Sequence, residues 1–334
     1  MRHLFFLISG LFFVTALTAQ SEYSIESLYK LIKRESIHRM EVDWDKVDQA
    51  FRGQLMKAKT RNDSMRAFVT IFKEMKDPHS SIYCEAGTIA FFNPVDEATF
   101  DRLTPMMNRS NSEMGRVKTA FLENKYAYIQ VPGFFARAEM VDSLAQMISD
   151  SISRFDPKKT KGFIIDLRLN KGGSLYPMLS GLGALLGDGP IGGETGVDDK
   201  VVRSWAIENG NFVQQGTPQS SIRHACGDAF VKKPVVILTG PITISSGALV
   251  AVAFKGRKKT RIIGEPTGEG YTTSNGWFKL GPRLILNLAS AYVSDRDGHI
   301  YRNNVTPDET VIGGDNFNNP DKDAKVAAAI KWLR

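Results

Sequence analysis

Most of the signatures that would identify this chain at once are missing from it. Only two of its 334 residues are cysteine, Cys84 and Cys226. Two isolated thiols do not make a metal site. An oxidising compartment would let them pair, but spacing alone does not bring them within bonding geometry. No GxxxxGKS/T loop is present, which argues against a phosphate cradle. No GxSxG elbow is present, which disfavours the common α/β-hydrolase route. Beyond residue 20 no run is apolar enough to cross a bilayer, and there is no internal repeat or low-complexity segment. Neither sign of charge dominates: 43 Lys and Arg stand against 36 Asp and Glu, a net +7. Because these charges are mixed along the chain, no nucleic-acid footprint results. The densest basic cluster, Lys255-Gly256-Arg257-Lys258-Lys259, reads as a solvated loop. Neither a metal nor a cofactor is expected.

What is present is an ordinary globular composition, 42% hydrophobic and 24% charged, which excludes a disordered chain. Residues 1–20, MRHLFFLISGLFFVTALTAQ, have basic Arg2, a short apolar run and small residues near Thr18 and Ala19. This is the pattern of a secretory signal peptide, and it implies an exported protein without stable membrane insertion, periplasmic or secreted. Residues 21–84 are read as a small helical N-terminal part. Its apolar stripes are Leu28, Ile32 and Ile37, then Val47, Phe51, Leu55 and Met56, then Phe68, Ile71, Phe72 and Met75. Asp77-Pro78 ends the last helix. His38 falls among charges there and reads as a surface residue. Residues 85–120 are weakly patterned, with NRSNSEMG (108–115) read as an exposed loop.

From residue 121 strands alternate with helices. YAYIQV, GFIIDLR, VVILTG, RIIGE and LILNLASAYV read as strands. Helices are expected from about 140 to 152, 175 to 186, 247 to 254 and at DAKVAAAIKWL. Such alternation indicates an α/β core, residues 85–334, on a largely parallel sheet.

Three turns at element ends could carry chemistry. In DLRLNKGGSLYPM the pair Gly172-Gly173 precedes a helix. It is either a plain glycine turn or a place where backbone N–H groups hold an oxyanion. In PITISSGALVAVAF, Ser245-Ser246-Gly247 stands where a strand gives way to a helix. Ser245 is either an N-cap or a nucleophile at a helix N-terminus. In KDPHSS, His79 follows a helix stop and is either polar surface or a base. A nucleophile, a base and an oxyanion hole are the parts of a serine hydrolase, and their order along a chain is free.

These stretches resemble the carboxy-terminal processing (tail-specific) protease family, and within it the branch related to the tricorn core. The matching pieces are DPHSSI, IIDLRLNKGGSLYPMLSGLGALLG, VVILTGPITISSGALVAVAFKGRKKTRIIGEPTGEGYTT and GHIYRNNVTPDE. The resemblance implies a ClpP/crotonase-like core with a helical N-terminal part and no room for a PDZ domain. It implies Ser245 as nucleophile, His79 as base, and oxyanion donors from Ser246 and from Gly172 or Gly173. The Lys that the processing branch places after GEPT is replaced here by Thr267-Gly268-Glu269-Gly270, which favours a Ser–His pair. Three acids of the pattern are also replaced. Ala248 stands three residues after the nucleophile, Tyr301 precedes the closing Val-x-Pro-Asp, and Gly276 follows Asn275. Glu269 is a possible orienting acid for His79. Two readings follow: an exported serine peptidase acting on peptides or unfolded protein segments, or a catalytically impaired member that binds peptides or small apolar ligands. A plain α/β domain in which Ser245 only caps its helix is the third.

Overall fold

The computed structural model describes residues 24–334 except 85, 86 and 283, so the expected signal peptide lies outside the described residues. Two sheets form the framework. One has six strands in the order Glu309–Thr310, Thr260–Gly264, Val235–Thr239, Gly162–Asp166, Tyr126–Gln130, Lys118–Leu122. It is parallel except at its last pair.

Its three central strands are buried at every position because both faces are covered, and they are mostly apolar for the same reason. Side chains alternate between faces along a strand. Phe163, Ile165, Val235 and Ile237 therefore enter one core with the helices Val141–Ser153, Leu175–Gly181 and Ser246–Phe254. Ile164, Val236 and Leu238 enter another with Val326 and Ile330 of the helix Ala324–Leu333.

The second sheet is antiparallel and has nine strands. Its axis is the twelve-residue strand Leu284–Asp295. Ser81–Cys84 and Gly189–Thr195 pair with it, as do Thr273–Gly281 and Ile300–Tyr301. The sequence pattern did not announce Gly189–Thr195, Val201–Glu208 or Asn211–Gln214. They are glycine-rich or solvent-facing on one side, so they lack the continuous apolar runs of the parallel strands. The N-terminal helices Ile25–Glu35, Trp44–Leu55 and Phe68–Glu74 pack Leu28, Phe51 and Phe72 onto Leu286 and Leu288 of the axial strand.

Four local expectations are corrected. Residues 108–113 are not loop but the end of the helix Glu97–Glu113, started by an Asp96 cap. Its polar residues are used in packing, since Ser110 Oγ donates to the Leu169 carbonyl at 2.6 Å. His38 is buried against Tyr292 rather than on the surface. Arg257 is not solvated: it is buried and donates to the carbonyls of Leu185, Val231 and Lys233 at 2.6–3.0 Å. Met56, placed on an apolar stripe, is exposed. Cys84 and Cys226 are both free thiols.

A buried ionic cluster fixes the end of the central strand. Arg168 donates to Asp166 at 2.6 Å, Asp315 at 2.7 Å and Asp323 at 2.8 Å. Tyr128 donates to Asp166 at 2.7 Å. Lys325 joins Asp315 to Glu265 at 2.9 and 3.0 Å. Burial opposes the charge on Asp166, but the Arg168 guanidinium outweighs it and holds the carboxyl below its ordinary range. The strand end that leads into Gly172-Gly173 is thus clamped from behind. Removing one partner of a buried ion cluster strands the others. Arg168→Met is expected to cost about 3–5 kcal/mol of folding stability, read from urea unfolding of wild type and variant.

Candidate active site

The strand Val235–Thr239 leaves the parallel sheet and reaches the helix Ser246–Phe254 within six residues. Every residue of that helix is buried. At the joint, Ser245 has φ +53° and ψ −133°, a conformation non-glycine residues rarely adopt. Its neighbourhood enforces it. Ser245 N–H donates to the Tyr271 carbonyl at 3.2 Å, and Ile244 N–H to the Asn170 carbonyl at 3.2 Å. Thr243 Oγ1 donates to the Leu167 carbonyl at 2.8 Å.

Ser245 makes no side-chain cap, so the capping reading is set aside. Its Oγ lies instead 3.0 Å from His79 Nε2. His79 follows the last N-terminal helix, in a turn made by the buried carboxylate of Asp77. Asp77 Oδ1 accepts from the N–H groups of His79 and Ser80 at 2.9 and 3.0 Å, and Oδ2 accepts from Ser80 Oγ. Burial pulls the imidazole down to about 4 against the opposing Asp77 charge. At neutral pH the ring is therefore uncharged and its Nε2 can accept a proton.

The two glycines, either of which was expected to donate to an oxyanion, sit differently. Gly172 N–H donates to Asn170 Oδ1 at 2.9 Å, so it is not available to an oxyanion. What Gly172 supplies is space: at φ +91° a Cβ there would come within 2.6 Å of Ser245 Cβ and 3.0 Å of its Oγ. Of the expected oxyanion donors this leaves Gly173 N–H and Ser246 N–H as candidates. Ser246 Oγ, donating to the Gly173 carbonyl at 2.7 Å, ties the helix start to the turn. Asn170 anchors this turn by donating to the carbonyls of Val131 and Pro132, both at 3.1 Å.

Glu269 does not reach the imidazole. It is exposed, and His79 Nδ1 meets Thr273 Oγ1 at 2.6 Å. Sequence inspection had no signal for Thr273, because a threonine opening a strand is ordinary. The pairing arises from the fold, where Ser81 and Thr273 flank the two sides of the axial strand. The site opens on a groove of about 1000 Å³. Its walls carry the exposed rings of Phe135 and Trp277, the latter stacked on Tyr83, and Lys171 lies beside the glycine turn. Burial lowers the Lys171 ammonium, which donates to Asn111 Oδ1. Among the described residues no cluster of His, Cys, Asp and Glu could hold a metal ion.

A serine hydroxyl facing an uncharged imidazole where a groove opens is the nucleophile–base pairing that serine hydrolases use. Residues 125–311 match the model of peptidase family S41, and the chain belongs to that family. It is 31% identical over 218 residues to the nisin-resistance protein of Lactococcus lactis subsp. lactis, covering 64% of this chain and 62% of that one. It is 24% identical over 186 residues to a carboxyl-terminal-processing protease of Synechocystis, covering 54% of this chain and 38% of the other. The chain thus spans less than two thirds of these relatives' length. Among solved structures, a lipoprotein from Streptococcus agalactiae superposes with a TM-score of 0.66 at 18% identity, over 92% of this chain and 94% of that one. The mixed α/β fold with its helical N-terminal part is therefore the S41 fold.

The strained backbone gives a direct test. A left-handed non-glycine residue of this kind stores about 1–3 kcal/mol. Ser245→Gly releases it, less the chain entropy glycine loses on folding, roughly 0.5–1 kcal/mol. Ser245→Gly is expected to unfold about 1 kcal/mol later than wild type while losing reactivity at the site. Loss of stability in urea titrations would show the backbone to be unstrained.

Proposed function

We propose that the protein is an exported serine endopeptidase that hydrolyses peptides or unfolded protein segments through an acyl-enzyme. The observation that carries this reading is the 3.0 Å contact of Ser245 Oγ with His79 Nε2, made by a serine that does not cap its own helix. Ser245 Oγ attacks the scissile carbonyl as His79 Nε2 takes its proton, and Gly173 N–H and Ser246 N–H receive the developing oxyanion. His79 then passes the proton to the leaving amine. Water, deprotonated by His79, cleaves the ester and restores Ser245. The groove, with exposed rings on its walls, suits an extended chain rather than a small polar molecule. Family membership and the carboxyl-terminal-processing relatives support a peptide or protein substrate. Export rests on the leader at residues 1–20, and no helix among the described residues is long and apolar enough to cross a membrane.

One observation favours the catalytically impaired, ligand-binding alternative: the partner of His79 Nδ1 is a hydroxyl and not a carboxylate. The two readings separate on covalent chemistry. With unfolded casein and a fluorophosphonate, wild type is expected to cleave and label. Ser245→Ala is expected to do neither, and His79→Ala to slow both by about 100-fold or more. A folded wild type that takes no label at any pH supports the binding protein instead.

The acid limb supplies a further test. The base acts only when neutral, so reactivity is present above the His79 pKa and lost below it. With His79 held at about 4, the fluorophosphonate rate is expected to persist at pH 5.5 and to fall nearer pH 4. A limb at about 6.5, the ordinary histidine value, would show the imidazole to be solvated.

A further inference from the structure

We infer that Thr273 and Asn275 are positioning residues. Together they form a neutral hydrogen-bond ring that sets the tautomer and orientation of His79, in place of an orienting carboxylate. The inference deepens the peptidase reading and rests on it for its catalytic meaning, although the ring itself is defined by geometry alone.

The protons can be assigned without ambiguity, starting from a group that only accepts. The main-chain carbonyl of His79 faces Asn275 at 3.1 Å and Asn287 at 3.0 Å. A carbonyl cannot donate, so both amides present their NH2 groups to it. That fixes Asn275 with its Oδ1 toward Thr273 Oγ1, 2.9 Å away. Oδ1 also only accepts, so the single hydroxyl proton of Thr273 goes to Asn275. The Thr273 oxygen then meets His79 Nδ1 at 2.6 Å with lone pairs only, and Nδ1 must carry the ring proton. Nε2 is left with a lone pair toward the Ser245 hydroxyl at 3.0 Å. This is the tautomer a general base needs, and it is set by the hydrogen bond at the other nitrogen.

The ring starts and ends on one residue. It runs from the His79 imidazole through Thr273 and Asn275 to the His79 carbonyl, so the side chain is held against its own backbone. Thr273 and Asn275 open the strand Thr273–Gly281, two residues apart and hence on one face of it. The other ionisable neighbours do not substitute. Asp77 is occupied by the main-chain N–H groups of residues 79 and 80 and by Ser80 Oγ. Tyr271 stands with its ring centroid 5.4 Å from the imidazole at an interplanar angle of 62°. In the reaction the Ser245 proton moves to Nε2 and later to the leaving amine. Nδ1–H, Thr273 and Asn275 keep their protons throughout, so the ring orients and polarises without exchanging charge.

The test reads the ring separately from the reaction. Nitrogen-15 spectra of histidine-labelled protein, with His79 assigned through His79→Gln, are expected to show His79 protonated at Nδ1 and bare at Nε2 near neutral pH. Thr273→Val keeps the shape and removes the acceptor. It should shift His79 toward the Nε2–H form and slow fluorophosphonate labelling by about 100-fold. Thr273→Ser should stay within a few-fold of wild type in both readouts. Thr273→Asp places a carboxylate at Nδ1 and should raise the acid limb by a unit or more. An Nε2–H tautomer in wild type overturns the inference, as does a Thr273→Val protein with wild-type spectrum and rate. An Nδ1–H wild type that never labels sustains the ring and removes the peptidase reading instead.

Discussion

The helix Ser246–Phe254 has no polar face to turn to water. A helix apolar all round is stable only when enclosed, and here the enclosure takes both sheets. The parallel sheet covers one side and the axial antiparallel strand the other. With the sheets held at that distance, the elements attached to the axial strand arrive at the helix N-terminus: the His79 turn before Ser81, and Thr273 at the start of its neighbour. The Ser245–His79 geometry is thus a by-product of burying nine residues, and a polar substitution inside that helix would disturb the site without touching it.

The parts of the structure that were legible share a physical reason. Strands buried on both faces read as mostly apolar runs, so Tyr126–Gln130, Gly162–Asp166 and Val235–Thr239 could be placed to within two residues. The candidates Ser245, His79 and Gly172-Gly173 stood out because paired serines, an isolated loop histidine and paired glycines are scarce at element ends. The antiparallel strands between Gly189 and Gln214 were not visible, since half-exposed strands follow neither an apolar run nor a helical period. Thr273 and Asn275 were hidden for another reason. Their role depends on which oxygen faces which nitrogen across a sheet, and a linear chain carries no trace of that. Glu269 attracted notice because carboxylates usually orient catalytic imidazoles, yet its exposure leaves it apart from the ring.

Charge is handled differently at the two ends of the glycine turn. Behind it, Arg168 and Lys325 lie among Asp166, Asp315, Asp323 and Glu265, a fully ionic arrangement in a buried place. In front of it, the groups touching His79 through its ring nitrogens are neutral. A carboxylate at Nδ1 would favour the imidazolium and so raise the affinity of the base for protons. The neutral ring leaves the imidazole a weaker base that stays free of protons in acid, trading proton affinity for availability.

The order of synthesis gives the ionic clamp another meaning. Arg168 is made 147 residues before Asp315 and 155 before Asp323, and His79 is made 194 residues before Thr273. A chain still emerging from the ribosome can hold the serine turn without the residues that hold His79 in register. Neither the clamp nor the imidazole ring can close until segments made much later have met Arg168 and His79. The register of His79 against Ser245 is therefore completed only late in folding, and on the peptidase reading an unfinished copy would pose little danger to the unfolded chains beside it.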